Sequence, residues 1–136
     1  MIDQSPAEPA RTGTWKARLD GYGSAHTDTV SQAVTLPASV GGARLSFWLH
    51  VDSLDTSTVA HDTLTVRVTA PDGATSTLAT YSNADQAGGY TYRWFDLSSL
   101  ARPYAGRPVT VTFTGTEDAA QQTSFLVDDT ALAVTP

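Results

Sequence analysis

The sequence has no cysteine, a single lysine (Lys16) and only two glutamates (Glu8 and Glu117). Without cysteine, neither disulfides nor thiolate metal ligands are available. The shortage of lysine and glutamate leaves few of the residues that favour helices on solvent-facing positions. The chain also lacks a run of roughly 18 apolar residues, which a membrane-spanning helix needs. These absences argue against a disulfide-stapled, helical or membrane-spanning protein, and we expect no membrane partner.

The chain has few cationic residues relative to its acidic ones, with a formal net charge of -6 over 136 residues. The average electrostatic field of such a chain repels nucleic-acid phosphates and favours cations, so we expect no nucleic-acid partner. A chain of this length forms one domain and buries roughly two thirds of the surface that its unfolded state exposes.

What is abundant is threonine, valine, serine, alanine and glycine, in β-branched runs separated by Gly, Pro, Asn and Asp. Residues 29–36 and 44–51 alternate between two faces, as β-strands do, and both faces of 44–51 are bulky, which indicates a central strand. Pro71, Asp72 and Gly73 form a turn signal. The pattern predicts an all-β fold, an antiparallel β-sandwich or jelly roll of about eight strands. We assign residues 1–13 to an extended lead-in and residues 14–136 to a single β-sandwich domain.

Acidic residues concentrate in four loops that antiparallel strand order places at one end of the sandwich, residues 21–28, 52–62, 82–89 and 115–123. Converging carboxylates repel one another, and a hard cation with oxygen ligands relieves that repulsion, which favours calcium. Zinc bound by His26 and His61 with a carboxylate is a second possibility, and solvated acidic loops without any ion are a third. The candidate metal ligands in these loops are His26, Asp28, Asp52, Asp62, Glu117 and Asp118.

Four aromatic residues occupy alternating positions on two predicted strands: Trp48, Tyr90, Tyr92 and Trp94. Flat, weakly polar aromatic faces suit the C–H groups of sugar rings, so these residues are candidates for a carbohydrate-stacking platform. The alternative is that the row packs within the fold.

Catalytic motifs are not evident in the sequence. No serine lies in a Gly-x-Ser-x-Gly context, and a carboxylate pair for glycoside hydrolysis would have to come from Asp52, Asp62 or Glu117. We therefore expect a non-enzymatic protein, with a metal-dependent hydrolase as the less favoured alternative.

Several segments resemble known families. The stretch from Phe125 to Asp129 (Phe-Leu-Val-Asp-Asp) resembles the last strand of galactose-binding-like jelly rolls, which include carbohydrate-binding modules. Over nearly the whole chain, further motifs resemble an accessory domain at the C-terminus of secreted bacterial hydrolases, notably peptidases: Trp15-Lys-Ala-Arg-Leu-Asp-Gly-Tyr-Gly, His26-Thr-Asp-Thr, Leu45-Ser-Phe-Trp-Leu-His-Val-Asp, Asp62-Thr-Leu-Thr-Val, Ala79-Thr-Tyr-Ser-Asn, Gly115-Thr-Glu-Asp and Gln122-Thr-Ser-Phe.

The resemblance implies an extracellular, non-catalytic module that binds calcium and assists a hydrolase, either by attaching to its polysaccharide or protein substrate or by stabilising its catalytic domain. In the carbohydrate-binding relatives the first Asp of the last-strand pair is a frequent calcium ligand, and this role maps onto Asp128. A Glu in a Phe-Glu pair helps bind that ion in those relatives. This sequence contains no Phe-Glu pair, so the resemblance implies an incomplete version of that site.

Overall fold

The computed structural model describes residues 1–136, and its regular secondary structure is almost all β-strand. Helical structure is limited to α1 (Ser98–Ala101) and two 3-10 turns, Asn83–Asp85 and Arg102–Tyr104. The nine strands are β1 (Ile2–Asp3), β2 (Lys16–Asp20), β3 (His26–Thr35), β4 (Gly42–Ser53), β5 (Thr63–Thr69), β6 (Thr75–Ser82), β7 (Thr91–Asp96), β8 (Pro108–Glu117) and β9 (Thr123–Thr135). None of these short helices has the length and apolar character of a membrane-spanning helix.

The strands form two antiparallel sheets. The first sheet has the order β1-β2-β9-β4-β7, and the second has the order β3-β8-β5-β6. The core lies between them because alternate residues of each strand point inward. In β4 the inward positions are Ala43, Leu45, Phe47, Leu49 and Val51, all at most 5% exposed.

Aromatic packing joins the two sheets near the middle of the core. The ring of Phe47 in the first sheet meets that of Phe113 in the second edge to face, with centroids 5.1 Å apart, and stacks on Phe95 of β7 at 6.1 Å. These inward residues leave the opposite side of β4 and β7 free to form an outer surface.

The fold class predicted from the sequence is confirmed: the protein is an all-β sandwich of two antiparallel sheets. There are nine strands rather than about eight, because a two-residue strand, β1, lies within the predicted lead-in and pairs with β2 through Ile2 and Asp3. Residues 44–51 belong to β4, which lies between β9 and β7 as the bulky faces indicated.

A β-bulge interrupts the pairing of β4 with β9. Ser46 pairs with Ala131 and Trp48 with Asp128, so one extra residue of β9 lies between these pairs. Asp129 takes up this irregularity with a φ of 49°, a left-handed conformation that aspartate tolerates better than most residues. A bulge redirects side chains that would otherwise alternate between the two faces, and Asp128 and Asp129 consequently contact the same N-terminal residues.

Candidate functional site

The outer face of β4 and β7 carries the four predicted platform residues in one row. Trp94 and Tyr92 on the edge strand β7 are 51% and 43% exposed, whereas Trp48 and Tyr90 are half-buried. Trp48 is the register partner of Tyr92, and their ring centroids lie 5.2 Å apart. The inward neighbour Phe95 packs in the core, so the strand separates a packing face from an aromatic surface.

Polar side chains hold the two ends of this row. The guanidinium of Arg44 lies 4.3 Å from the ring centroid of Trp94. At the other end the His50 ring packs 5.4 Å from that of Tyr90, and His50 Nε2 is 2.9 Å from the carbonyl oxygen of Ala87. The predicted row is therefore one continuous surface, with an open end at Trp94 and a more enclosed end at Tyr90.

The lead-in segment (residues 1–13) covers the enclosed end. The guanidinium of Arg11 lies 3.6 Å from the centroid of the Trp48 ring, and Tyr90 Oη donates a hydrogen bond of 2.8 Å to the carbonyl oxygen of Pro9. Burial, helped by the negative charges of Asp128 and other carboxylates, raises the pKa of Tyr90 to about 12, so this hydroxyl stays a donor.

Two carboxylates of β9 hold this part of the lead-in. Asp128 Oδ2 accepts hydrogen bonds from the backbone N–H groups of Arg11 and Thr12, at 2.8 and 3.3 Å. Asp129 accepts from the Arg11 guanidinium at 3.0 Å and from the Thr12 hydroxyl at 2.7 Å. Hydrogen bonds from Thr12 and Arg11 lower the pKa of Asp129. The predicted metal ligand Asp128 thus holds the lead-in and does not join the carboxylates at the loop end.

The loop end contains two buried carboxylates that tie loops together through hydrogen bonds. Glu117, 2% exposed, accepts from the backbone N–H groups of Tyr22, Gly23 and Thr123 at 2.8, 3.2 and 3.1 Å. Asp62, fully buried, accepts from the N–H of Asp118 at 2.8 Å and the hydroxyl of Thr123 at 2.5 Å. Desolvation is the main cause that raises the pKa of Asp62.

Asp20, which is not among the predicted metal ligands, lies among these groups. It is 0% exposed, and neither carboxylate oxygen has a hydrogen-bond partner. Burial, followed by the negative charges of Glu117 and Asp28, raises its pKa to about 7. Its backbone φ is 61°, and its carboxylate packs where a side chain on Gly115 would otherwise lie. The Asp-Gly pair at 20–21 ends a strand and resembles an ordinary turn, which conceals the buried role of Asp20 in the sequence.

The remaining predicted metal ligands form smaller local contacts. His26 Nε2 lies 2.8 Å from Asp28 Oδ1, and Asp28 Oδ2 accepts from the N–H of Asp20. Asp118 accepts a hydrogen bond from the N–H of Ala120, and Asp52 is an exposed residue one position before the end of β4. The structure does not gather the seven predicted ligands into one site, because no group of three or more His, Asp and Glu side chains is arranged to hold a metal ion.

His61, the second histidine of the zinc alternative, also has a local partner. Its Nδ1 lies 2.6 Å from Asp55 Oδ2, and this hydrogen bond is the main cause that raises the pKa of His61. His26 and His61 are thus each engaged with a different aspartate, which does not support the zinc alternative.

Comparison by sequence found no matching family model and no matching curated protein. Comparison by structure found similar folds at low sequence identity. TmCBM61 in complex with β-1,4-galactotriose superposes with a TM-score of 0.66 at 16% identity, over 98% of this chain and 81% of that one. CBM28, a carbohydrate-binding module specific for non-crystalline cellulose, gives 0.53 at 10% identity over 97% and 78%. The CBM22-1 xylan-binding domain of Xyn10C from Paenibacillus barcinonensis gives 0.52 at 16% identity over 98% and 80%.

These structures share the two-sheet architecture with this chain, and at such identities the likeness is one of fold. The chain thus has the β-sandwich fold of carbohydrate-binding modules.

Proposed function

We propose that the protein is a non-catalytic carbohydrate-binding module that binds polysaccharide on the outer face of β4 and β7. The observation that carries this proposal is the pair of large, solvent-exposed rings, Tyr92 and Trp94, on one edge of that face. Exposed aromatic rings cost free energy in water, and sugar C–H groups cover such faces without needing charge complementarity. The fold of the three carbohydrate-binding structures supports the same conclusion.

The polysaccharides to test are those of the structural neighbours: β-1,4-galactan, non-crystalline cellulose and xylan. A ligand stacked on Trp94 would also lie close to Arg44, because the guanidinium of Arg44 lies against one face of that ring. The planar guanidinium can donate several hydrogen bonds to sugar hydroxyls. We therefore expect binding to combine stacking with hydrogen bonding from Arg44.

Affinity electrophoresis with each soluble polysaccharide, and pull-down with the insoluble forms, tests the proposal. We expect Trp94→Ala to weaken retention on the bound polysaccharide by about tenfold to a hundredfold, since loss of one aromatic anchor costs roughly 1–3 kcal/mol. The matched control is Trp15→Ala, because Trp15 is 55% exposed but precedes β2, three strands and about 14 Å from β7. Equal retention of both variants and the unsubstituted protein would contradict the proposed site.

We further propose that the module serves a secreted bacterial hydrolase as an accessory domain. The sequence resemblance to the C-terminal domains of secreted peptidases supports this context, and polysaccharide attachment or stabilisation of the catalytic domain are the two roles that it implies. Fusing the module to a hydrolase from such a parent distinguishes them. Attachment raises activity on insoluble substrate only, whereas stabilisation raises the melting temperature of the catalytic domain.

A calcium ion is the second part of the proposal, supported by Asp20. A fully buried carboxylate without a partner is costly, and either a proton or a cation can relieve that cost. The ion would bind the two free oxygens of Asp20, with backbone carbonyl oxygens and water as its other ligands, because the carboxylates of Glu117 and Asp28 already accept hydrogen bonds. A calcium ion there would neutralise charge and bridge the loops that Glu117 already links.

Thermal melting at pH 8 with calcium and with EDTA tests this part. Calcium at 100 times its dissociation constant adds about 2.7 kcal/mol to the free energy of unfolding, so the melting temperature rises by several degrees. The rise should vanish in Asp20→Asn and persist in Asp52→Asn, a control at an exposed aspartate of the same end. An unchanged melting temperature in the unsubstituted protein would contradict a calcium ion on Asp20.

A further inference from the structure

The strap, which we define as residues 9–12 of the lead-in segment, lies over the part of the platform that a bound sugar would need. Arg11 presents its guanidinium to Trp48 at 3.6 Å, a distance at which no sugar ring fits between them. The hydroxyl of Tyr90 donates its hydrogen bond to the carbonyl oxygen of Pro9 and is therefore not available to donate to a sugar. Strap and ligand therefore exclude each other at this half of the aromatic row.

The attachment of the strap is polar and shallow. Residues 9–12 make no backbone–backbone hydrogen bond to the rest of the protein, and Pro9, Arg11 and Thr12 are exposed. Their contacts are the hydrogen bonds to Asp128 and Asp129, the bond from Tyr90, and the cation–π contact. Exposed contacts of this kind are individually weak and are open to competition by solvent.

The chain on either side of the strap is anchored more firmly. Before it, Glu8 pairs with Arg18 at 2.8 Å and Asp3 pairs with the buried Lys16 at 3.1 Å. After it, Gly13 has a φ of 62° and nothing within 4 Å of the position that a Cβ would take. Residues 9–12 can thus lift away while β1 stays paired, because a glycine with free space around it is a low-cost pivot.

From these contacts we propose that the strap is a displaceable cover that divides the platform into an open half, Tyr92 and Trp94, and a closed half, Trp48 and Tyr90. The inference rests on the proposed function and adds its regulation. A short oligosaccharide occupies the open half only. A longer chain gains contact with Trp48 by displacing Arg11, and its apparent affinity is reduced by the fraction of molecules in which the strap is closed.

The test uses a strap variant, Arg11→Ser with Thr12→Ala, in the full chain. The matched control is Arg67→Ser with Thr77→Ala on the second sheet, where Arg67 Nε donates to the Thr77 hydroxyl at 3.3 Å. For whichever polysaccharide the protein binds, we expect the strap variant to bind a disaccharide as the unsubstituted protein does and a long chain on the order of tenfold more tightly. The control should bind both ligands normally.

Two further measurements test whether a gain in affinity comes from uncovering Trp48 and whether the ligand displaces the strap. Adding Trp48→Ala to the strap variant should return its affinity for the long chain to that of the unsubstituted protein. In the unsubstituted protein, long polysaccharide should accelerate tryptic cleavage after Arg11, and the disaccharide should not.

The outcomes separate the two proposals. If Trp94→Ala weakens binding as expected but the strap variant gains no affinity and cleavage after Arg11 stays unchanged, the strap proposal is overturned and the binding site stands. If no polysaccharide is retained by any variant, the proposed function fails. In that case, slow cleavage after Arg11 that Asp129→Asn accelerates would still show that the strap is closed, because Asp129 holds Arg11 and Thr12.

Discussion

Asp20 lies in an environment very unlike that of a free side chain. Its carboxylate is fully buried, both oxygens lack a donor, and the backbone conformation at this position is left-handed. The left-handed conformation ends β2 and turns the chain toward Gly21, while the carboxylate packs against Gly115. The free-energy cost of the charged form must therefore be relieved by protonation or by a cation.

Asp20→Asn tests this cost directly. In EDTA at pH 8 the folded protein holds Asp20 charged above its folded pKa of about 7, and asparagine removes the buried charge while tolerating the same φ. We expect the variant to be more stable at pH 8 by about 2–4 kcal/mol, with the difference disappearing near pH 4. Urea unfolding at the two pH values measures it, and equal stability at both would contradict a buried unpaired charge.

At the residue scale, the sequence predicted which aromatic side chains share a face but not what covers them. Tyr92 and Trp94 follow from period-two alternation, which the pleat of any strand imposes. The contact between Arg11 and Asp129 joins residues 118 positions apart. Such a pairing depends on the whole fold, which period-two alternation along a strand does not specify.

At the scale of single elements, β8 and β2 come together at Gly115. An ideal Cβ on Gly115 would lie 2.5 Å from Asp20 Oδ2 and 3.1 Å from the Cβ of Leu19. The glycine therefore serves close packing between the sheets, since no side chain fits at that position. The Gly-Thr-Glu-Asp motif thus combines a packing requirement at Gly115 with the loop-bridging carboxylate of Glu117.

We expect Gly115→Ala to destabilise the protein by about 1–3 kcal/mol, because the new methyl group displaces the carboxylate and Leu19. Gly88→Ala is the control, since nothing lies within 4 Å of its Cβ position and its φ is not positive. Comparing the two urea midpoints measures the effect. A destabilisation no larger than that of Gly88→Ala would mean that Asp20 can move aside freely.

Strands with one face in the core and one face toward solvent could be predicted from the sequence, because apolar residues on the first face alternate with more polar residues on the second. β4 and β5 belong to this class. β1 does not, since a two-residue strand has no period to detect. The only feature of the sequence at the β9 bulge is the adjacent pair Asp128 and Asp129. Why two carboxylates lie there becomes clear only in the structure, where both of them hold the strap.

At the scale of the whole molecule, two sets of carboxylates respond to pH in opposite directions. Asp20 and Asp62 have raised pKa values in the folded state. Their contribution to stability is full near pH 4 and falls as the pH rises, for Asp20 toward about 7. Six aspartates have lowered pKa values through their hydrogen bonds and ion pairs, and they contribute stability above the usual value of 3.8 that is lost as the pH falls below it: Asp3, Asp28, Asp55, Asp72, Asp96 and Asp129.

The two trends predict a maximum of stability in EDTA at about pH 4 to 5, below the neutral range in which many proteins are most stable. Asp3 and Asp129 hold the lead-in segment, so the acid limb should begin with release of that segment. Melting temperatures from pH 2 to 9 measure the maximum, and tryptophan fluorescence reports separation of Arg11 from Trp48. Saturating calcium should raise the free energy of unfolding at neutral pH if an ion takes the place of the proton on Asp20. The decrease in stability from pH 5 toward neutral pH should then become smaller. In Asp20→Asn the loss of stability toward neutral pH should be smaller even without calcium, with the part due to Asp62 remaining. A maximum near pH 7 in the unsubstituted protein would contradict the raised pKa of Asp20.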